Sequence, residues 1–269
     1  MAQANLNRLF ASAGLKVGHA IFEFDTPGIG QIVAAAGVDF VFLDMEHSGF
    51  GFMEVKRVIT ALRAADIAAL VRPPSNAYHH IARALDVGAD GLAAPMVSSK
   101  AEAEEIVAHM KYPPQGHRGV ALGIAHDRYR PGPTDRKLAA ANRRTALAAL
   151  IETAEGIENI DEIAAVKGVD CLWIGHFDLS AALGIAGQFE HRAFTEAADR
   201  VRRAARKHGK ALARLAADAQ GCAALYREGF DVVCYSGDLW VYQQALIDGV
   251  AELRASCAKT KPRGAKSAR

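Results

Sequence analysis

The sequence predicts an α/β fold, a single (β/α)8 TIM barrel. Three observations carry that prediction. Apolar runs and helical patterns alternate along the whole chain, eight of each. The apolar runs are continuous rather than alternating, as in parallel strands covered on both faces. No Pro-, Gly- or Ser-rich linker divides the 269 residues. The alternative on the same pattern is a doubly wound open sheet. Residues 1–257 are expected to form the barrel, and 258–269 a basic, disordered tail.

The expected strands are Lys16–Phe24, Asp39–Asp44, Ala68–Arg72, Gly91–Val97, Ala146–Glu152, Cys171–Gly175, Ala211–Ala216 and Asp231–Tyr235. Helical patterns fall between them, at Gly28–Ala36, Met53–Ala64, Tyr78–Val87, Lys100–Met110, Ile157–Ala165, His191–Lys207, Ala219–Arg227 and Leu239–Ala255. Glycines such as Gly209 and Gly229 follow helices, where a left-handed cap suits them. Two segments break the rhythm, Lys111–Asn142 and Phe177–Glu190. Each reads as a long loop, and long loops in compact domains often carry function.

Composition excludes several classes. Hydrophobic residues make up 51% and charged residues 23%, which is globular rather than disordered. Net charge is +2. The tail basics Lys259, Lys261, Arg263, Lys266 and Arg269 account for it, so the body is slightly acidic and offers no nucleic-acid footprint. No apolar run approaches a membrane span, and Met1–Leu15 lacks a secretory pattern, so the expected location is the cytoplasm. The cysteines Cys171, Cys222, Cys234 and Cys257 form no C-x-x-C pair and read as small hydrophobes. Gly28-Ile29-Gly30 lacks the third glycine of a dinucleotide loop.

In a TIM barrel, chemistry collects where strands end. Glu23, Asp44, Arg72, Glu152, Asp178 and Asp238 stand at or just past expected strand ends, and the seventh expected strand carries Arg214. Asp178 and Asp238 could also serve as helix caps. A bare Asp44, Arg72 or Glu152 after an apolar strand is costly to bury alone, so these groups are expected to pair with each other or with a metal. Glu152 and Asp178 end successive strands and could converge on one hard cation such as Mg²⁺ or Mn²⁺. His47, beside Asp44 in Asp44-Met45-Glu46-His47, has a carboxylate to orient it as a general acid or base. Arg72 can stabilise an oxyanion. No expected strand ends in lysine, which disfavours a Schiff base.

Several segments, in order, carry a resemblance. Leu43-Asp44-Met45-Glu46-His47-Ser48 is similar to the Asp-Gly-Glu-His signature of the HpcH/HpaI aldolases. Val71-Arg72-Pro73-Pro74, Leu85-Asp86-Val87-Gly88-Ala89, Tyr112-Pro113-Pro114-x-Gly116-x-Arg118-Gly119, Ile151-Glu152-Thr153-Ala154-Glu155-Gly156 and Gly175-x-x-Asp178-Leu179-Ser180 also match. Together they span roughly residues 15 to 255.

The resemblance implies a (β/α)8 barrel assembled as a hexamer, a trimer of dimers that swap their last helix. It implies reversible aldol cleavage of a 4-hydroxy-2-oxo acid to pyruvate, or a related 2-oxo acid, plus an aldehyde. The reaction would use a divalent metal, Mg²⁺ or Mn²⁺ with Co²⁺ a further option. Glu152 and Asp178 would be its ligands. Arg72 would hold the oxo oxygen. His47, with Asp44 and with Asp86 from a neighbouring subunit, would form the acid/base apparatus together with a metal-bound water. Backbone N–H groups of Phe177 and Asp178 would bind the substrate carboxylate, with Leu215 beside it. Three positions depart from the family pattern: Leu150 where Gln is usual, His176 where Pro is common, and Ser236-Gly237-Asp238 for Gly-Ser-Asp. Two other readings of the same residues are a lyase acting on an acyl-CoA thioester and a non-catalytic binding protein on this fold.

Overall fold

The computed structural model describes residues 5–258. The tail expected at 258–269 therefore lies, apart from Ala258, outside the described residues. Eight parallel strands close into a barrel in chain order, with β1 hydrogen-bonded to both β2 and β8. They are β1 (Lys16–Ile21), β2 (Phe40–Asp44), β3 (Ala68–Arg72), β4 (Gly91–Ala94), β5 (Ala146–Ile151), β6 (Cys171–Ile174), β7 (Ala211–Ala216) and β8 (Val232–Gly237). The open-sheet alternative is thus excluded.

The helices in chain order are α1 (Leu6–Ala11), α2 (Ile29–Ala35), α3 (Phe52–Ala64), α4 (Tyr78–Asp86), α5 (Lys100–Met110), α6 (Thr134–Arg144), α7 (Ala154–Glu158), α8 (Ile160–Ala165), α9 (His176–Ala182), α10 (Arg192–His208), α11 (Ala219–Glu228) and α12 (Asp238–Ala258). Three of them lie outside the expected patterns, and the pattern at Ile157–Ala165 divides into α7 and α8 at Asn159. α1 is short and packs Leu6 and Phe10 into the barrel interior. α6 and α9 occupy the two segments read as long loops. The first of those segments joins α5 to β5, so it lies at the strand-entry end, away from the strand ends. Gly209 and Gly229 do cap α10 and α11 in the left-handed region, at φ 62° and 97°.

Strand periodicity divides the core in two. Inward side chains form one cluster, including Ala20, Phe40, Phe42, Leu70, Ala148, Leu150, Trp173, Ala213 and Cys234. Outward ones, such as Val41, Leu43, Val71, Leu147, Leu172 and Val233, pack under the helices. Many interior positions are alanine, which leaves room for Phe40, Phe42 and Trp173. The Trp173 ring meets Phe42 at 5.0 Å and Phe40 edge-on at 6.5 Å. Gly18 belongs to this layer for a steric reason: a Cβ there would come within 2.3 Å of the Phe40 ring.

α12 behaves differently from the other helices. Only its first turns touch its own barrel, where Asp238 is buried and Trp240 and Tyr242 meet Phe22 and Phe24; Leu246, Ile247, Val250 and Leu253 beyond them are exposed. The outer side of β8 is covered by α11 only in part, leaving Tyr235 exposed. Val17, Cys222, Tyr226, Val233 and Tyr235 line an apolar groove of about 440 Å³ there.

Candidate active site

A cavity of about 690 Å³ opens where the strands end. Its lining includes Glu23, His47, Arg72, Glu152, His176, Phe177, Asp178 and Leu215. Most of the expected site residues therefore meet in one place. Parity explains their arrival. Asp44 shares the inward face with Phe40 and Phe42, Arg72 with Leu70, and Glu152 with Leu150, each at a spacing of two residues.

Arg72 and Asp44 form a bidentate pair. Asp44 Oδ1 accepts from Arg72 Nε at 2.9 Å and Oδ2 from Nη2 at 2.6 Å. Register brings them together, because Asp44 and Arg72 are direct partners across β2 and β3. Asp44 is fully buried. Burial works against the Arg72 charge, but Asp44, Glu46 and Glu152 outweigh it and hold the guanidinium pKa above its ordinary value.

This geometry corrects the expectation for Asp44. Its carboxylate does not orient His47; it is committed to Arg72 and to the Glu46 N–H at 2.9 Å. The turn is closed by Ser48 Oγ donating to the Asp44 carbonyl at 2.6 Å. The carboxylate nearest His47 is Glu46, whose Oε2 lies 3.8 Å from Nε2 and also 3.2 Å from Arg72 Nη1. Glu46 belongs to this site although the linear chain marks only its neighbours Asp44 and His47. Its spacing of two from Asp44 was the signal.

Glu152 is buried and accepts the Met96 N–H at 2.8 Å. Burial raises its pKa to about 7; the Met96 N–H and Arg72 oppose the rise, while Asp178 and Glu46 add to it. Burial likewise raises Glu46, with Asp44 and Asp178 adding to the effect. Gly175 makes room for the Glu152 carboxylate, because a Cβ at that position would lie 2.2 Å from Oε1. Asp178 sits in the first turn of α9.

Other expected residues fall elsewhere. Arg214 alternates outward on β7 and stacks over Phe189 and Phe194, at 5.4 and 5.0 Å, instead of entering the mouth. Asp238 accepts backbone N–H groups from Phe22, Glu23 and Phe24, so it fixes the end of β1. Asp86, at the end of α4, is bound by buried Arg118 at 2.5 Å and does not line this chain's cavity. His176 does line it. Burial, and then Arg214, lower its pKa to about 4, so it is neutral at pH 7. The sequence did not single out Phe22, Trp173, Leu239 and Trp240, which supply the cavity's apolar wall.

The donor set suits a hard cation. Asp44, Glu46 and Glu152 surround one guanidinium, Asp178 adds its charge to Glu46 and Glu152, and Arg72 compensates only part of the total. Among the described residues no three His, Cys, Asp or Glu side chains close around a common point. Glu152 and Asp178 as a pair would leave coordination positions for water and substrate. Among the described residues no lysine lines the cavity. Lys111, which burial lowers to about 8, points its Nζ at the Asn142 and Thr145 carbonyls beside the start of β5.

The likenesses to known proteins agree with this geometry. The HpcH/HpaI aldolase/citrate lyase family matches residues 23–244. A protein from Shigella boydii named 5-keto-4-deoxy-D-glucarate aldolase is 35% identical over 219 residues, 80% of this chain and 83% of its own length. The crystal structure of an HpcH/HpaI aldolase from Desulfitobacterium hafniense superposes with a TM-score of 0.85 at 34% identity, covering 90% of this chain and 93% of that one. A family protein from Burkholderia cenocepacia gives 0.86 at 30% identity, over 93% and 98% of the two chains. The barrel, the charged strand ends and these relatives agree: the chain belongs to the HpcH/HpaI aldolase/citrate lyase family and is a carbon–carbon lyase.

Proposed function

We propose that this lyase cleaves and forms 4-hydroxy-2-oxo acids, exchanging pyruvate or a close 2-oxo acid with an aldehyde through an enolate. The observation that carries this reading is the placing of Glu152 and Asp178 in one cavity with a guanidinium held in a carboxylate fork. Glu152 and Asp178 would hold a divalent cation, Mg²⁺ or Mn²⁺. When bound, that cation would act as a Lewis acid toward the 2-oxo acid and share the negative charge of the enolate.

The chain's own residues supply the rest. Asp44 takes Nε and Nη2 of the Arg72 guanidinium and Glu46 lies on Nη1, which leaves one N–H on each Nη to donate to the oxo oxygen as charge grows there. The donor is already oriented by two hydrogen bonds, so little reorganisation accompanies the reaction. His47, exposed at the cavity rim, is placed to move a proton to or from the aldehyde oxygen, with Glu46 beside it. The N–H groups of Phe177 and Asp178 would take the substrate carboxylate, and Leu215 would flank it. Asp86 enters this reading only as a residue offered by a second copy.

Assembly belongs to the same proposal. An apolar helix with no cover and an apolar groove with no helix are complementary needs. α12 of one copy would fill the groove of another, and such pairs would build a hexamer. Leu246→Asp together with Ile247→Asp should release smaller species in sedimentation; an unchanged mass would refute the exchange.

The reaction is tested by exchange of the pyruvate methyl hydrogens for deuterium with Mn²⁺ or Mg²⁺ added. Exchange should stop on chelation. Full activity after exhaustive chelation would sink the cation assignment, and borohydride trapping of a pyruvate adduct would replace the mechanism.

A further inference from the structure

We infer that the aldehyde side of this cavity is built for an uncharged, apolar aldehyde, and that Phe22, Trp240 and Glu23 set that preference. The inference rests on the aldolase reading and deepens it. Its basis is how the lining is distributed around the barrel. The ends of β2, β3, β5 and β6 supply His47, Arg72, Glu152 and, through α9, Asp178. The ends of β8 and β1 supply Leu239, Trp240 and Phe22, with Glu23 as the one ionisable group among them. Because β8 closes onto β1, these residues form one continuous wall.

That wall is fixed in place. The Phe22 and Trp240 rings pack at 5.0 Å and 55°. Behind them buried Asp238 accepts the N–H groups of Phe22, Glu23, Phe24 and Leu239 at 3.1, 3.0, 2.8 and 2.8 Å. Trp240 nevertheless remains 43% exposed, so its ring is available to a ligand. Phe42, Leu150 and Trp173 continue the apolar surface towards the barrel interior.

Charge points the same way. The 2-oxo acid's own carboxylate belongs on the polar side of the cavity. A second carboxylate, carried by the aldehyde, would lie against Phe22 and Trp240 and beside the Glu23 carboxylate. Arg72 is already shared between Asp44 and Glu46, and Arg214 is turned away under Phe189 and Phe194. An alkyl or aryl tail loses nothing at this wall and removes apolar surface from water. A carboxylate would surrender its hydration without a partner.

The test pairs hexanal with 5-oxopentanoate, aldehydes of similar length that differ by one charge, in condensation with pyruvate and Mn²⁺. Wild type should favour hexanal in kcat/KM by about tenfold or more, the scale of discrimination in apolar pockets. Trp240→Ala should erase most of that ratio, and Glu23→Gln should reduce it about threefold by improving 5-oxopentanoate. Pyruvate deuterium exchange is followed in the same samples. A wild type that exchanges pyruvate but favours 5-oxopentanoate overturns this inference and leaves the aldolase reading intact. A wild type that exchanges no pyruvate overturns the aldolase reading. Binding then decides the preference by itself, because both tryptophans of the chain, Trp173 and Trp240, line the cavity and report occupancy by fluorescence. Hexanal should then quench at lower concentration than 5-oxopentanoate, and the reverse order refutes the apolar wall.

Discussion

The two ends of the barrel both hold ionisable groups and use them in opposite ways. At the strand-entry end five ionisable groups beside the strand starts are tied to backbone. Asp39, Asp90 and Asp170 accept the N–H groups of Val17, Ala69 and Leu147 on neighbouring strands, at 2.8, 3.1 and 2.9 Å. Lys111 donates to the Asn142 and Thr145 carbonyls and to Thr145 Oγ1, and Lys210 to the Val169 carbonyl. At the strand-exit end Asp238 is held by backbone in the same way, but Arg72, Glu46, Glu152 and Asp178 act on one another beside the cavity, with Glu152 held by a single backbone N–H. Backbone partners are part of the fold, so groups they satisfy have nothing left to offer a ligand. Groups that face each other retain lone pairs and charge for one. Burial alone therefore does not mark a site; the identity of the partner does.

The largest effect should come from breaking the exit end at Glu152. Glu152→Gln keeps the shape and removes the charge. Activity should fall by more than the roughly 10–100-fold typical of changes behind a metal ligand. Calorimetric binding of Mn²⁺ should weaken with it, while the protein stays folded. Mn²⁺ affinity equal to wild type would remove Glu152 from the ligand set.

Arg72 sharpens the comparison because it serves both stability and chemistry. Arg72→Ala should slow pyruvate exchange by about 10²–10³, or about 3–4 kcal/mol. It also strands fully buried Asp44, which should cost about 3–5 kcal/mol of folding stability. Adding Asp44→Asn should recover much of the stability and none of the exchange. Recovery of both would mean that Arg72 acts only through folding.

Lys111 tests the entry end. Lys111→Met leaves two carbonyls and a hydroxyl short of a donor, at a cost of about 1–3 kcal/mol, with turnover per folded molecule unchanged. Its pH dependence has a definite sign. The folded pKa is about 8, below the ordinary 10.5, so between those values the unfolded chain binds more protons and stability rises with pH. The gap corresponds to roughly 3 kcal/mol across that window. Denaturant titrations from about pH 8 to about pH 10 should show wild type gaining on Lys111→Met; parallel curves would mean that Lys111 is charged throughout.

The smallest effect concerns the turn after β2. Ser48→Ala removes the hydroxyl that closes it on the Asp44 carbonyl, a loss of about 1 kcal/mol. A drop of only a few degrees in Tm, with exchange reduced less than Arg72→Ala reduces it, would match.

Much of this was legible in the linear chain because periodicity and burial are local properties. Eight continuous apolar runs, each followed by a helical pattern, predict the barrel, and β3, α5 and β7 match their expected bounds. A polar residue two positions beyond an inward apolar one also predicts delivery to the mouth, which is how Arg72 and Glu152 could be found. Pairing was not legible. Asp44 stands three residues from His47 in sequence, yet strand register sets it opposite Arg72, 28 positions away. Parity on β7 turns Arg214 outward, and barrel closure brings Asp238 to the N–H groups after β1. The apolar wall is also tertiary, since Phe22 and Trp240 meet only because the last strand closes on the first. The chain by itself determined which residues emerge at the strand ends, because side-chain alternation follows from the backbone. Only the closed sheet decided which of them touch, because contact across a barrel depends on register and curvature that no local spacing encodes.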